Sequence, residues 1–465
     1  MTGTKAKAGF YWAQVFDHLQ QPIHIAPLIT FRILFGLIML GGIIRFSLNG
    51  WISDLYVKPV FYFTYPGFEW VQPLGHTGMH LLFGLMALFT ILITLGLFYK
   101  IAIILFFLSF TYVELIDITN YLNHYYFISL ISFLLIFLPA NRYLSVDEYI
   151  NPSIRQEFVP RWMVGTIRLQ VGLIYFFAGV AKLNADWLFN ALPMKIWLPA
   201  KSHLPLIGHL MYKSWVAYLF SWFGAIYDLL ISFFLLSRRT RPVAYIFVLL
   251  FHLSTALFFP SIGLFPYVMI VCSLIFFNSN FHQRLLRVLP FANQHIEKTF
   301  AKNASAYPSL SKHAVSISIG IFFLFQVLIP FRYLLYPGHL FWHEKGFRFS
   351  WRVMIMEKSG NAFFYVKEPS SGRTYEVNNA EFLTPLQEKM MSTQPDMILR
   401  YAHFLSEVYT RKGVQAPEVY AQCYVALNGA RSRLFIDSGV DLAKQPLSLS
   451  HYTWVLPYQP TKNYP

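Results

Sequence analysis

The stretch LITFRILFGLIMLGGIIRFS, residues 28–47, decides the fold class of this chain. It is apolar over most of its length, and about 20 such residues are what an α-helix needs to cross the hydrocarbon core of a bilayer. Comparable runs follow at 78–98, 101–116, 124–139, 163–182, 215–236, 243–259, 262–278 and 313–334. We therefore predict about nine membrane spans, of which the runs at 101–116 and 124–139 are short enough to be tilted or re-entrant.

The overall composition also indicates a membrane protein. Of the 465 residues, 56% are hydrophobic and only 13% are charged, a balance that a water-soluble surface of this size does not accept. The net charge of +15 comes from basic residues dispersed among the connections, so nucleic acid is not an expected partner. The predicted fold is an all-α polytopic membrane bundle over residues 1–334, in contact with membrane lipid.

Residues 335–465 are more polar and predict a C-terminal extramembrane α+β domain. Residues 383–411 have helical periodicity, although two prolines limit where the helix can be continuous. Two pairs of segments that flank turns predict β-hairpins, namely Asn361–Lys367 with Arg373–Val377 and Glu418–Leu427 with Arg431–Ile436.

The distribution of basic residues predicts the orientation in the membrane. Among the connections between the apolar runs, most lysines and arginines lie on the side of the N-terminus. The connections on the opposite side hold chiefly Lys58, Lys195, Lys201 and Lys213. By the positive-inside rule the N-terminus is predicted to be cytoplasmic, and an odd number of crossings places the C-terminal domain on the non-cytoplasmic side. The membrane would be the cell membrane in a bacterium and the endoplasmic reticulum in a eukaryote.

Ionisable and polar groups inside or beside a membrane span are costly, so they mark candidate functional sites. Most of those in this chain are predicted to lie toward the non-cytoplasmic side. The candidates are Asp117, Asn123 and His124 in one polar stretch, Lys182 and Trp187 at the end of a long apolar run, and His252 inside another.

Structural interpretations of these residues also stay open. A lysine at a helix end commonly extends to the headgroups, His252 can hydrogen-bond a neighbouring helix, and His124 can cap an interfacial loop. Asp228, within the run at 215–236, is interpreted as a structural partner. No metal site is predicted, because the two HxxxH pairs of the chain lack a third ligand.

The segment GVAKLNADW, residues 179–187, is the most distinctive stretch of the sequence. It resembles the segment that carries the catalytic lysine of the vitamin K-dependent gamma-glutamyl carboxylase family. Further stretches resemble the family in the same order, namely Phe31–Gly36, Leu95–Tyr99, Asp117–His124, Arg142–Asp147, Phe251–His252, Ser261–Gly263, Phe265–Met269, Ser350–Trp351 and Thr453–Trp454. The resemblance covers most of the chain, which is similar to a short, bacterial-type member of the family.

This resemblance implies a carbon–carbon lyase that carboxylates glutamate residues of a protein or peptide. The reaction would be coupled to oxidation of vitamin K hydroquinone to the epoxide, with O2 and CO2 as co-substrates and no metal. Lys182 would be the base that deprotonates the hydroquinone, which requires a neutral amine. The resemblance assigns orientation or stabilisation of the reacting intermediate to His124 and Asn123, and quinone or substrate binding to His252, Asp117 and Trp187.

Two other functions are considered. A relative of this family can oxygenate or bind a quinol in the membrane without carboxylating glutamate. A transporter needs polar groups through the depth of the membrane, whereas those of this chain gather toward one side.

Overall fold

The computed structural model describes Gln14, residues 17–288 and residues 309–459. Predictions for the remaining residues of the bundle and of the C-terminal domain lie outside this part of the chain. The helices are α1 (Ala26–Leu48), α2 (Trp51–Tyr56), α3 (Gly75–Leu95), α4 (Tyr99–Ile116), α5 (Asn123–Phe137), α6 (Val146–Ile150), α7 (Arg161–Ala181), α8 (Ala185–Phe189), α9 (Met194–Trp197), α10 (Ser214–Leu236), α11 (Arg241–Phe258), α12 (Phe265–Ser273), α13 (Ser279–Leu286), α14 (Ser309–Leu328), α15 (Leu340–His343), α16 (Pro385–Met391) and α17 (Pro395–Arg411). The strands are β1 (Pro22–His24), β2 (Phe158–Pro160), β3 (Lys358–Lys367), β4 (Thr374–Val377), β5 (Glu418–Leu427) and β6 (Arg433–Leu434).

Seven helical segments of the described chain are long and apolar enough to cross a membrane. They are Ala26–Leu48, Gly75–Leu95, Tyr99–Ile116, Arg161–Ala181, Ser214–Leu236, Arg241–Phe258 and Ile317–Leu335. An eighth results if Phe265–Phe276 and Ser279–Leu286, which bend by 119° relative to each other, form one span. The predicted fold class is therefore confirmed as a helical membrane bundle, but the count of nine is not.

Local sequence explains both departures from the predicted count. The run at 124–139 forms α5, which has 15 residues and stops just before Pro139, because a residue that precedes proline avoids the helical conformation. The run at 262–278 is helical in one segment only over Phe265–Phe276, and Asn278, whose side chain accepts a hydrogen bond from the backbone N–H of Phe281, begins a separate helix at its end.

Buried polar contacts fix one end of the bundle. Arg32 in α1 is buried and donates hydrogen bonds to the carbonyl oxygens of Ala140 and Leu144, both at 2.7 Å. Asp147 accepts hydrogen bonds from the backbone N–H groups of Phe98 and Tyr99 at the start of α4. Three of the stretches that resemble the carboxylase family therefore meet here and hold the turns between helices.

The C-terminal region forms a four-stranded antiparallel sheet in the order β4-β3-β5-β6. Both predicted hairpins are confirmed, β3 with β4 and β5 with β6, and the predicted helical segment divides into α16 and α17 at Pro395. The domain is joined to the bundle by hydrogen bonds from Gln387 to Asp117, from Trp197 to Glu357 and from Asn428 to Asp186. We call the side of the bundle that carries these contacts the domain face.

A close approach of α7 and α10 leads to a first prediction. A Cβ added at Gly179 would lie 2.6 Å from the backbone nitrogen of Leu229, so Gly179→Ala must push the two helices apart. We expect it to destabilise the protein by about 1–3 kcal/mol, seen as a lower midpoint of thermal unfolding in detergent. Gly165→Ala on the same helix is the control, because nothing lies within 4 Å of its added Cβ. Equal midpoints for the two variants would contradict the prediction.

Candidate functional site

A cavity of about 340 Å³ lies among α7, α10, α11 and α12. Most of its walls are aromatic or aliphatic, and its ionisable side chains are Lys182, Asp228 and His252. Val353 and Met354, from the C-terminal region, complete the lining. The cavity is of the size that buries a small organic ligand, with few polar groups to orient it.

Lys182 and Asp228 form a buried ion pair in the wall of this cavity. The Lys182 Nζ atom lies 2.7 Å from Asp228 Oδ2 and 3.3 Å from the carbonyl oxygen of Ala178, and both side chains are 7% exposed. Lys182 therefore does not extend to the headgroups, which was the structural interpretation of this residue. The pair brings a proton donor and a proton acceptor together in an apolar environment, where charges interact strongly.

The local sequence around Lys182 explains how the lysine is held. Lys182 follows the last residue of α7, and Asn184 starts α8 by accepting a hydrogen bond from the backbone N–H of Trp187. The Trp187 indole is buried, donates to the carbonyl oxygen of Ser221 at 2.7 Å and lies 5.4 Å from the Lys182 ammonium nitrogen. The chain thus turns sharply after Lys182 and places an aromatic ring over its side chain.

His252 occupies another wall of the cavity, on α11. Its Nε2 atom lies 2.9 Å from the hydroxyl oxygen of Tyr175, which also contacts the hydroxyl oxygen of Ser273 at 3.1 Å. The other ring nitrogen, Nδ1, has no hydrogen-bond partner among the described residues. Tyr175 therefore fixes the orientation of the imidazole in the cavity wall, while Nδ1 is buried.

Asn123 and His124 border the cavity without lining it. The His124 imidazole is buried, with its ring centroid 5.9 Å from that of Phe265, which does line the cavity. Asn123 donates a hydrogen bond at 3.2 Å to the carbonyl oxygen of Arg352, the residue before Val353. Both residues at the start of α5 therefore contact segments that shape the cavity.

Asp117 lies away from the cavity lining. Its carboxylate accepts hydrogen bonds from the backbone and hydroxyl groups of Thr119 and from the side-chain amide of Gln387, at 2.7 to 2.8 Å. Burial raises the pKa of Asp117 to about 6, although these hydrogen bonds oppose the shift. The structure therefore brings Lys182, Trp187 and His252 into one cavity, places Asn123 and His124 beside it, and leaves Asp117 in the contact with the C-terminal domain.

Two family models match the chain. The HTTM domain model matches residues 20–281, which is more than half of the chain, and a model described as the vitamin K-dependent gamma-carboxylase, lumenal domain, matches residues 311–461. The chain belongs to the vitamin K-dependent gamma-carboxylase family. No solved structure matches it. The matches confirm the resemblance drawn from the sequence, and with the apolar helices they identify an integral membrane protein.

Both matched regions of this gamma-carboxylase family member contribute to the cavity. Lys182, Asp228 and His252 fall in the region of the HTTM domain, whereas Val353 and Met354 fall in the region of the gamma-carboxylase lumenal domain. The cavity is therefore complete only when the two regions are together.

Three groups at the cavity were not among the predicted site residues. Asp228 was visible as an acidic residue in an apolar run, but its pairing with Lys182 joins residues 46 positions apart. Tyr175 has no local signal, because the chain contains 29 tyrosines. Val353 and Met354 are ordinary apolar residues, and only the docking of the C-terminal region places them at the cavity.

Proposed function

We propose that this protein carboxylates glutamate residues of a protein or peptide and couples this to oxidation of vitamin K hydroquinone. In the balanced reaction, hydroquinone, O2, CO2 and a glutamyl side chain give the epoxide, water, γ-carboxyglutamate and one proton. The observation that carries the proposal is the Lys182–Asp228 pair in the wall of an apolar, aromatic cavity of a gamma-carboxylase family member.

The residues of the cavity fit a quinone. Its walls are largely aromatic, as a flat apolar ring system requires, and the His252 imidazole is one of the few polar groups in the wall that could orient a quinone. A neighbouring apolar groove of about 450 Å³ shares Phe223 and Phe247 with the cavity and offers room for a prenyl side chain. We assign quinone binding to His252, with Trp187 as a wall of the same site.

Lys182 and Asp228 are proposed to manage the first proton. The pair holds one proton between an amine and a carboxylate, so transfer of that proton to Asp228 leaves a neutral Lys182 amine and creates no net charge in the cavity. The neutral amine can then accept a proton from a hydroquinone hydroxyl. Bound hydroquinone supplies, together with O2, the strong base that removes a γ-proton from glutamate.

His124 and Asn123 are proposed to act on the glutamyl substrate. They lie beside the cavity at the start of α5, and Asn123 is held by the carbonyl oxygen of Arg352. In this position they can orient or stabilise the intermediate that captures CO2. Asp117 is proposed to affect substrate binding only by fixing the polar stretch that leads into Asn123.

An assay of purified protein tests the proposal directly. The protein is incubated with reduced vitamin K, bicarbonate and a glutamate-containing peptide, and the epoxide and the carboxylated peptide are measured separately. Formation of both products is expected. Epoxide without carboxylated peptide, whichever peptide is offered, would instead identify a quinol oxygenase, and formation of neither product would refute quinol chemistry.

We also propose a domain arrangement and an orientation, with a membrane catalytic domain at residues 1–334 and an extramembrane domain at residues 335–465. The N-terminus is assigned to the cytoplasm and the C-terminal domain to the other side, because the loops opposite the N-terminus hold fewer basic residues.

Cysteine labelling checks this orientation. A cysteine at Ser371, in the exposed turn between β3 and β4, should react with a membrane-impermeant thiol reagent added outside intact cells. A cysteine at Ser237, in the exposed turn between α10 and α11, is the control and should react only after the membrane is opened. The native Cys272 and Cys423 are buried and should contribute little background. The reverse pattern would overturn the orientation.

A further inference from the structure

A second, smaller cavity is lined by Tyr125, the residue that follows His124. It has a volume of about 50 Å³, and its lining includes Arg45, Tyr125 and Leu264. Since the share of one water molecule in the liquid is about 30 Å³, this space suits a group of a few heavy atoms such as a carboxylate. The His124 ring lies 4.6 Å from the ring of Tyr125, which lines the small cavity, and 5.9 Å from the ring of Phe265, which lines the large one.

Arg45 is the cation of this cavity. It lies in the last turn of α1 at the domain face, with its guanidinium 4.8 Å from the centre of the Trp51 ring. No ion pair joins it to a carboxylate among residues 17–288 and 309–459, although Glu114 lines the same cavity. Its side chain is exposed, so the fixed donors of the guanidinium are available to a ligand.

The surroundings bring Arg45 close to the proposed chemistry. Tyr125, the residue after His124, lines the small cavity together with Arg45. A side chain at Gly263 would approach Arg45 Nη1 to 3.7 Å, and Gly263 directly precedes Leu264 and Phe265, which line the small and the large cavity respectively. Arg45 therefore faces the loop that both cavities share.

Removal of a γ-proton from the glutamyl substrate is favoured by a cation beside its side-chain carboxylate. Its γ-carbon is bonded to a carboxylate, so removal of a γ-proton puts a second negative charge beside the first. A guanidinium that binds the carboxylate through two hydrogen bonds offsets this charge and fixes the γ-carbon in one position. We infer that Arg45 binds the side-chain carboxylate of the glutamyl substrate at the mouth of the small cavity, beside His124.

This inference rests on the proposed carboxylation and adds the residue that selects glutamate. In that arrangement the γ-carbon points past His124 toward the large cavity. A phospholipid headgroup is the other source of an anion at this depth, since Arg45 lies near the end of a membrane span. A cation at a helix C-terminus is favoured by the helix dipole whichever anion it binds. This effect therefore does not distinguish the glutamyl carboxylate from a phospholipid headgroup.

The test uses the full-length protein in nanodiscs of neutral phosphatidylcholine, with two peptides that differ only in glutamate or glutamine at the acceptor position. In Arg45→Gln we expect the KM for the glutamate peptide to rise at least about tenfold and the binding preference for glutamate over glutamine to disappear. The KM for vitamin K hydroquinone should not change. Arg45→Lys should keep part of the preference, because it retains the charge but not the two parallel donors.

Lys195→Gln is the matched control. Lys195 is also an exposed cation over an aromatic ring, 4.9 Å from the centre of the Tyr218 ring, and it does not line either cavity. The inference is overturned if Arg45→Gln keeps the glutamate preference, if Lys195→Gln loses it equally, or if the effect of Arg45→Gln appears only when anionic lipid is added. Absence of carboxylation by the unmodified protein would refute the proposed function itself and the inference with it, whereas normal carboxylation by Arg45→Gln refutes the inference alone.

Discussion

Lys182→Ala is expected to reduce vitamin K epoxide formation by about 10²–10⁴-fold, the range that a positioned general base contributes. The amine lies in the wall of the apolar cavity, and Asp228 can take its proton without creating net charge. The measurement is the initial rate of epoxide formation at saturating hydroquinone and neutral pH. A rate near that of the unmodified protein would remove Lys182 from the first deprotonation.

A second variant separates loss of chemistry from loss of folding. Lys182→Ala leaves the buried carboxylate of Asp228 without its cation, and breaking such a pair costs about 3–5 kcal/mol. The double variant Lys182→Ala with Asp228→Asn removes that unpaired charge, so it should unfold at a higher temperature than Lys182→Ala while remaining equally inactive. Recovery of epoxide formation in the double variant would show that the loss came from the stranded carboxylate.

His124→Ala is expected to uncouple the two products. If Lys182 starts the quinol chemistry and His124 acts later on the glutamyl intermediate or CO2, the variant should still form epoxide while it loses most carboxylation, because water can quench the strong base. The contacts of His124 with one lining residue of each cavity are consistent with this division of roles. The ratio of carboxylated peptide to epoxide is the quantity to measure. Equal loss of both products would assign His124 to quinol binding or oxygenation instead.

His282→Ala is the control for this experiment. His282 on α13 is also a buried histidine. It does not line the large cavity. Its removal creates a comparable internal void, so it should lower stability and leave the product ratio unchanged.

The sequence by itself determined the class of the fold. A run as long and apolar as 28–47 requires a bilayer whatever the neighbouring residues are. Two segments that flank a turn predict a β-hairpin, because the geometry of the turn is local. The number of spans was not determined, because the apolar runs at 124–139 and 262–278 form helices shorter than a full crossing, Asn123–Phe137 and Phe265–Phe276. Several short stretches in the same order indicated the family, and the stretch around Lys182 was the most distinctive of them.

Only the tertiary structure decided which of the polar residues meet. Asp228 pairs with Lys182 because Gly179 lets α7 approach the backbone of α10, a contact that depends on how two helices pack and not on any local pattern. Asp117 and Asn123 belong to one polar stretch in the sequence, yet one is held by Gln387 of the C-terminal domain and the other borders the cavity. Periodicity and composition indicate whether a segment faces lipid, water or the protein interior. A site depends instead on the directions of side chains from distant segments, and tertiary packing alone sets these directions.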